Sequence, residues 1–180
     1  MPYNKITRAE IITMLVRNRY WDNVTLFENE MKSYVSKNGK FFKDVKWNEW
    51  FAPYLYIWFK NNILAGTNNK ALPYDYINKA ELVTLLGRAY KISSNDIFMS
   101  WNDVTKDDRF KSYADASKKL NLYPFANLDY FKPYDLVNRV DTFETIYRYM
   151  NTNPNIISFS PVSNTQDQQL EKIMNSLIKF

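Results

Sequence analysis

Three cations, Arg8, Lys79 and Arg139, occupy corresponding places in the chain. Each follows Thr7, Asn78 or Asn138 directly and stands two residues before Glu10, Glu81 or Asp141. A Thr or Asn with an acid three residues on is the capping-box pattern of a helix N-terminus, so each cation is expected to be the first residue of a helix. A positive charge there opposes the helix dipole by about 0.3–1 kcal/mol, yet all three copies carry one. Backbone N–H groups at a helix start already attract an anion, and a cation beside them would complete a pocket for a carboxylate or phosphate. The other reading of the same side chains is a surface ion pair, or a stem lying over apolar neighbours. Thr7 and Asn78 join the candidate set as neighbours of the cations. Glu10, Glu81 and Asp141 read as capping acids, and Arg17, Arg88 and Arg148, seven residues further on, as structural cations of the last helical turn.

The rest of the composition narrows the chemistry. The 180 residues contain no cysteine and no histidine, which excludes disulfides, Cys nucleophiles, Ser-His-Asp triads and His-ligated zinc. Only carboxylates, Lys or Tyr could move protons. No carboxylate pair has the spacing of a glycosidase, so no catalysis, metal or cofactor is expected. The net charge of +5 suits an anionic partner, but no basic run or nucleic-acid motif is present. No run of 18 apolar residues exists to span a membrane. The opening MPYNKITRAE is no signal peptide; for a secreted protein, Met1 is then expected to open a piece of a longer one.

The cations belong to an internal repeat. Met1–Glu10, Leu72–Glu81 and Lys132–Asp141 align without gaps, with Pro-Tyr at 2–3, 73–74 and 133–134. A second block precedes two of them: Phe42-Lys-Asp-Val45 matches Trp101-Asn-Asp-Val104, and Tyr54 and Tyr113 each lie nine residues past the valine. The predicted unit is therefore an aromatic-x-Asp-Val block, a helix, a turn, Pro-Tyr and a second helix. Second helices are read from the apolar spacing of Ala9, Ile12, Leu15 and Val16, of Ala80, Val83 and Leu86, and of Val140, Phe143, Ile146 and Tyr147. Others are expected near 48–62, 108–121 and 165–179, with a helical turn or two around Leu26–Val35. Gly66 and Pro124 mark turns, Asp44 and Asp103 are expected to cap the following helix, and 151–155 reads as a linker. Trp47, Trp58 and Phe59 look like packing or interface residues. Tyr3, Tyr74 and Tyr134 fit either a helix surface or a groove.

These residues resemble the S-layer-homology (SLH) family, whose repeat runs roughly F-x-D-V, a Trp, a helix ending in G-[IL]-x-x-G, then Pro and I-T-R-A-E. Ile6-Thr-Arg-Ala-Glu10 matches the last signature, and Phe42–Val45, Trp50-Phe-Ala-Pro-Tyr54 and Ile63-Leu-Ala-Gly66 match the first half. The resemblance covers nearly all of residues 1–150, as half a repeat and two whole ones. It implies an all-α, pseudo-threefold helical bundle with units near 1–40, 41–97 and 98–151. Grooves between the repeats would bind anionic, often pyruvylated, secondary cell-wall polysaccharide, and so hold an S-layer or other surface protein to the bacterial wall, outside the cell. Trp50, which could stack on a sugar or fill core space, and Gly66 complete the implied carbohydrate-binding set with Arg8, Lys79, Arg139, Thr7 and Asn78.

The sequence departs from the family pattern in its second and last repeats. Lys79 replaces an arginine and cannot offer a bidentate fork. Arg109-Phe110 stands where Trp50-Phe51 does, and Tyr-Pro-Phe replaces the Gly turn, so the third groove is expected to differ and the sites to be unequal. The alternative function is a protein–protein scaffold of the same fold that has lost glycan binding. Residues 152–180 are expected to form a linker and an amphipathic helix packed on the same bundle, replacing the half-repeat missing at the N-terminus.

Overall fold

The computed structural model describes residues 2–20, 24–64, 66–94, 100–124 and 129–152. The expected C-terminal helix at 165–179 lies outside them. Within them the chain is all-α, with helices α1 (Arg8–Tyr20), α2 (Val24–Asn38), α3 (Ala52–Lys60), α4 (Lys79–Tyr90), α5 (Lys111–Lys119) and α6 (Arg139–Thr152) and no strand. None of these helices is long and apolar enough to cross a membrane. The described residues divide into two compact units, one of residues 7–75 with α1 to α3, the other of residues 2–6 and 76–152 with α4 to α6.

In the first unit, α3 packs against both α1 and α2. The aromatic block explains why. Leu55, Ile57 and Trp58 of α3 are buried, as are Phe41, Phe42 and Phe51 ahead of it. Phe41 meets Phe42, Tyr56 and Phe59 with ring centroids 5.6, 5.6 and 5.8 Å apart. α1 is buried over more of its girth than one stripe, with Ile11, Thr13 and Met14 covered beside the expected positions. α2 corrects the expectation of one or two turns, since it runs 15 residues. Its polar composition hides a seam at helical spacing: Phe27 and Met31 are buried, and Tyr34 sets its ring against Tyr56 and Phe59. Lys60 also reaches across from α3 to Glu30, at 2.6 Å.

In the second unit α4 packs on α5 and α6. Gly87 is required there, because a Cβ would lie 2.2 Å from Cδ1 of Tyr113 on α5. The buried face of α6 is Thr142, Thr145, Ile146, Tyr149 and Met150. It is rotated from the stripe read in the sequence, because threonines take core positions where an apolar count does not register them. Asn151 and Thr152, read as linker, are the last residues of α6.

The two aromatic-x-Asp-Val copies fold alike in their separate units. Val45 N donates to Phe42 O and Val104 N to Trp101 O. The residues just before α3 and α5, Phe51 and Phe110, have nearly the same backbone angles, φ −90° and −95°. Each helix runs out into a left-handed Asn, Asn62 at φ 57° and Asn121 at φ 49°.

Candidate functional site

The candidate site is built on the Pro-Tyr turns. In the first unit, Asp44 accepts backbone N–H groups from Ala71 (2.9 Å) and Leu72 (2.8 Å). In the second, Asp103 accepts them from Phe131 (2.8 Å) and Lys132 (2.7 Å). These acids were expected to cap the following helix. They instead reach 27–29 residues along the chain to fix the next Pro-Tyr turn. Leu72 and Lys132 need that hold, since both sit in the left-handed region at φ 53° and 55°, strained for a residue with a side chain. Lys43 N to Asn69 O and Asn102 N to Asp129 O, both 2.9 Å, close the same arrangement.

The helix-start cations grip the other side of these turns. Arg8 donates through Nε to the carbonyl of Ala71 (3.0 Å). Lys79 donates to the carbonyl of Phe131 (3.3 Å), lies 3.4 Å from the Asp135 carboxylate and stands over the Tyr123 ring, 5.7 Å from its centroid. Its side chain is 12% exposed, while Arg8 and Arg139 are half-buried. One peptide, at Ala71 or Phe131, is thus held by an aspartate on its N–H and a cation on its C=O.

The expected free amides at the helix starts are taken. Arg8 N and Ala9 N donate to Asp75 O and Pro73 O, Lys79 N and Ala80 N to Asp135 O and Pro133 O, and Arg139 N and Val140 N to Asn4 O and Pro2 O. The third position is closed by the cap. Glu10 N donates to Thr7 Oγ1 and Glu81 N to Asn78 Oδ1, with the acids answering back to Thr7 N and Asn78 N, and Asp141 N donates to Asn138. An anion arriving here would therefore meet side-chain charge alone. Burial holds the Asp141 carboxyl above its usual range, against the opposing Asn138 hydrogen bond and Lys79 charge.

An exposed aromatic cluster borders the Arg8 turn. Tyr74, 63% exposed, sets its ring edge-on to Phe51 (5.5 Å) and donates its hydroxyl to Glu49 (3.0 Å). Partial desolvation, then that hydrogen bond, hold its phenol above the usual value. Trp50 stands edge-on to Phe51 at 5.3 Å and is 48% exposed, so it does not fill the core. An open indole and a phenol at a turn gripped by a guanidinium can stack on sugar C–H faces and meet an acid group. No model of a known protein family matches the chain. The exoglucanase XynX of Acetivibrio thermocellus is similar to it, 25% identical over 161 residues. That match takes in 86% of this chain but spans only 14% of the relative.

The second unit repeats the frame without the stacking surface. Tyr134 meets Phe110 at 6.4 Å, but the position of Trp50 is held by Arg109, which is exposed. Gly66 has a packing reason: at φ +71°, its Cβ would fall 2.6 Å from Lys70 O and 2.7 Å from Phe42 Cε1, ahead of the tight Thr67–Lys70 turn. Arg17 donates to the Tyr54 hydroxyl (3.0 Å), and Arg148 pairs with Glu144 (2.8 Å) and the Asn121 carbonyl (3.0 Å). Glu49, as partner of Tyr74, has no counterpart in the sequence reading. The reach of Asp44 and Asp103 could have been suspected from their recurrence.

Proposed function

We propose that this chain is a non-catalytic anchoring module of a bacterial surface protein, binding anionic, for example pyruvylated, secondary cell-wall polysaccharide outside the cell. The observation that carries the reading is the exposed Trp50 and Tyr74 beside the turn that Arg8 grips. In this reading Trp50 stacks on a sugar ring and Arg8 pairs with the sugar's acid group. The pseudo-threefold arrangement of the bundle is part of the proposal. It is supported by the same pair of backbone bonds recurring from Arg8 and Ala9, Lys79 and Ala80, and Arg139 and Val140 to the carbonyls of Pro-Tyr turns. A likeness confined to 14% of a far longer protein named as an exoglucanase fits a module carried by larger enzymes and surface proteins.

The alternative, a scaffold that has lost glycan binding, is favoured locally at residues 100–135, where Arg109 replaces the indole and Lys79 is engaged by Phe131, Asp135 and Tyr123.

Pull-down with wall sacculi, before and after the polysaccharide is stripped, separates the two. The anchoring reading expects binding only before stripping. It also expects Arg8→Ala and Trp50→Ala each to weaken binding to purified polysaccharide about tenfold, the loss of one charge-assisted bond or one stacked ring, with added salt reducing affinity further. Undiminished binding by the Trp50→Ala variant and by an Arg8/Lys79/Arg139 triple alanine variant would overturn it.

A further inference from the structure

A cavity of about 250 Å³ opens in the first unit, where the end of α2 meets the segment leading into α3. Val35, Phe41 and Val45 form its apolar floor, Trp47 its wall, and Lys40 and Lys46 its rim. Three features set it apart from an ordinary surface dent. Trp47 is 56% exposed, although an indole normally gains most by burial. Neither ammonium, of Lys40 or of Lys46, makes a hydrogen bond or ion pair with another described residue. The lining also differs between the two copies: in the matching block of the second unit Lys106 stands in place of Trp47 and Thr105 in place of Lys46, and among the described residues no helix there corresponds to α2.

The neighbouring turns show what that costs. In the second unit Thr105 closes its own turn, its N–H and hydroxyl both donating to Asp108 (2.7 and 2.9 Å). In the first unit the position of Asp108 is Glu49, which is drawn off to Tyr74. The turn at Lys46 keeps only the backbone bond from Glu49 N to Lys46 O (3.2 Å), and Lys46 is left facing solvent beside the indole.

We propose that this cavity is a second saccharide subsite, taking one sugar ring that carries a carboxylate, stacked on Trp47 with its acid group between Lys40 and Lys46. Drug-sized pockets run to roughly 300–1,000 Å³, so a cavity below that range suits a single ring. An apolar floor with one open indole fits the C–H face of a sugar, and two unpaired ammonium groups at the rim select the charged form. The subsite rests on the reading of the chain as a binder of anionic wall glycan, and adds a contact that involves neither Arg8 nor Trp50.

The test is an NMR titration of the full chain, following the Trp47 and Trp50 indole N–H signals, assigned with Trp47→Phe and Trp50→Phe variants. The probes are a disaccharide bearing a ketal-linked pyruvate and the same disaccharide with the pyruvate removed. The expected result is a shift of the Trp47 signal with the pyruvylated probe only, persisting in an Arg8→Ala/Trp50→Ala variant. Affinity at Trp47 should fall about tenfold in Lys40→Ala/Lys46→Ala, with an unchanged melting temperature. If the Trp50 signal moves while that of Trp47 stays still, the subsite is wrong and the anchoring site stands. If neither moves, both readings fail. An equal response of Trp47 to the depyruvylated probe overturns the anionic specificity.

Discussion

Residues 41–75 and 100–135 are two copies of one design that have diverged in different layers. What they share is backbone carpentry: the aspartate that holds a left-handed residue ahead of Pro-Tyr, the cation on the opposite carbonyl, and the Asn turn after the helix. What differs lies on the surface and in the core. Trp47 and Trp50 become Lys106 and Arg109 outside, and Tyr56 becomes Asp115 inside. The core change is the more costly kind. Asp115 is 1% exposed, with one carboxylate oxygen on Lys111 and the other without a partner. Among the described residues, buried unpartnered side-chain polar atoms fall on Thr13 in the first unit, but on Asp115, Thr142 and Tyr149 in the second. The turn-holding frame is kept in both units, whereas the second unit carries polar side-chain atoms that its core does not satisfy.

The largest expected effect tests the shared layer. Asp44→Ala and Asp103→Ala each strand two backbone N–H groups and release a strained residue, so each should cost about 3 kcal/mol in denaturant unfolding. A cost at one site and none at the other would show that the two turns are not built alike. Next comes the divergent core. Lys111→Met with Asp115→Leu replaces a buried ion pair by apolar groups and should raise stability by about 2 kcal/mol. A loss of similar size would mean that the pair organises the second unit rather than burdening it. The smallest effect is at Tyr149. Burial pushes its phenol above the ordinary 10.0, so as pH rises the unfolded chain gives up that proton first. The tyrosine's contribution is thus intact below about pH 10 and lost above it. Tyr149→Phe should flatten that alkaline loss and, by removing an unpartnered buried hydroxyl, raise stability at neutral pH by about 1 kcal/mol. An unchanged pH profile would place the alkaline loss elsewhere.

Local signals in the sequence led to the right structure and non-local ones did not. Capping boxes at Thr7 and Asn78, the cap at Asn138 and the helices behind them were legible, because cap and helix lie within four residues of each other. α2 was not, since its seam of Phe27, Met31 and Tyr34 gains meaning only against Tyr56 and Phe59. For the candidate site, the residue types picked out cations, which stand at the helix starts, and an indole, which lies exposed ahead of α3. The sequence could not reveal that carbonyls of the Pro-Tyr turns fill the helix-start amides, because Arg8 and its acceptor Asp75 are joined only by the fold.

That last feature has a kinetic signature. First-turn amides of a helix ordinarily point at water and trade their protons for deuterium quickly, since no intrahelical carbonyl holds them. Here those of Arg8, Ala9, Lys79, Ala80, Arg139 and Val140 are tied to turn carbonyls at 2.9–3.1 Å. In deuterated solvent they should be among the slow protons of their units, released only when the Pro-Tyr turns let go. The three helix starts would then serve as clocks for the opening of the turns that carry the candidate site.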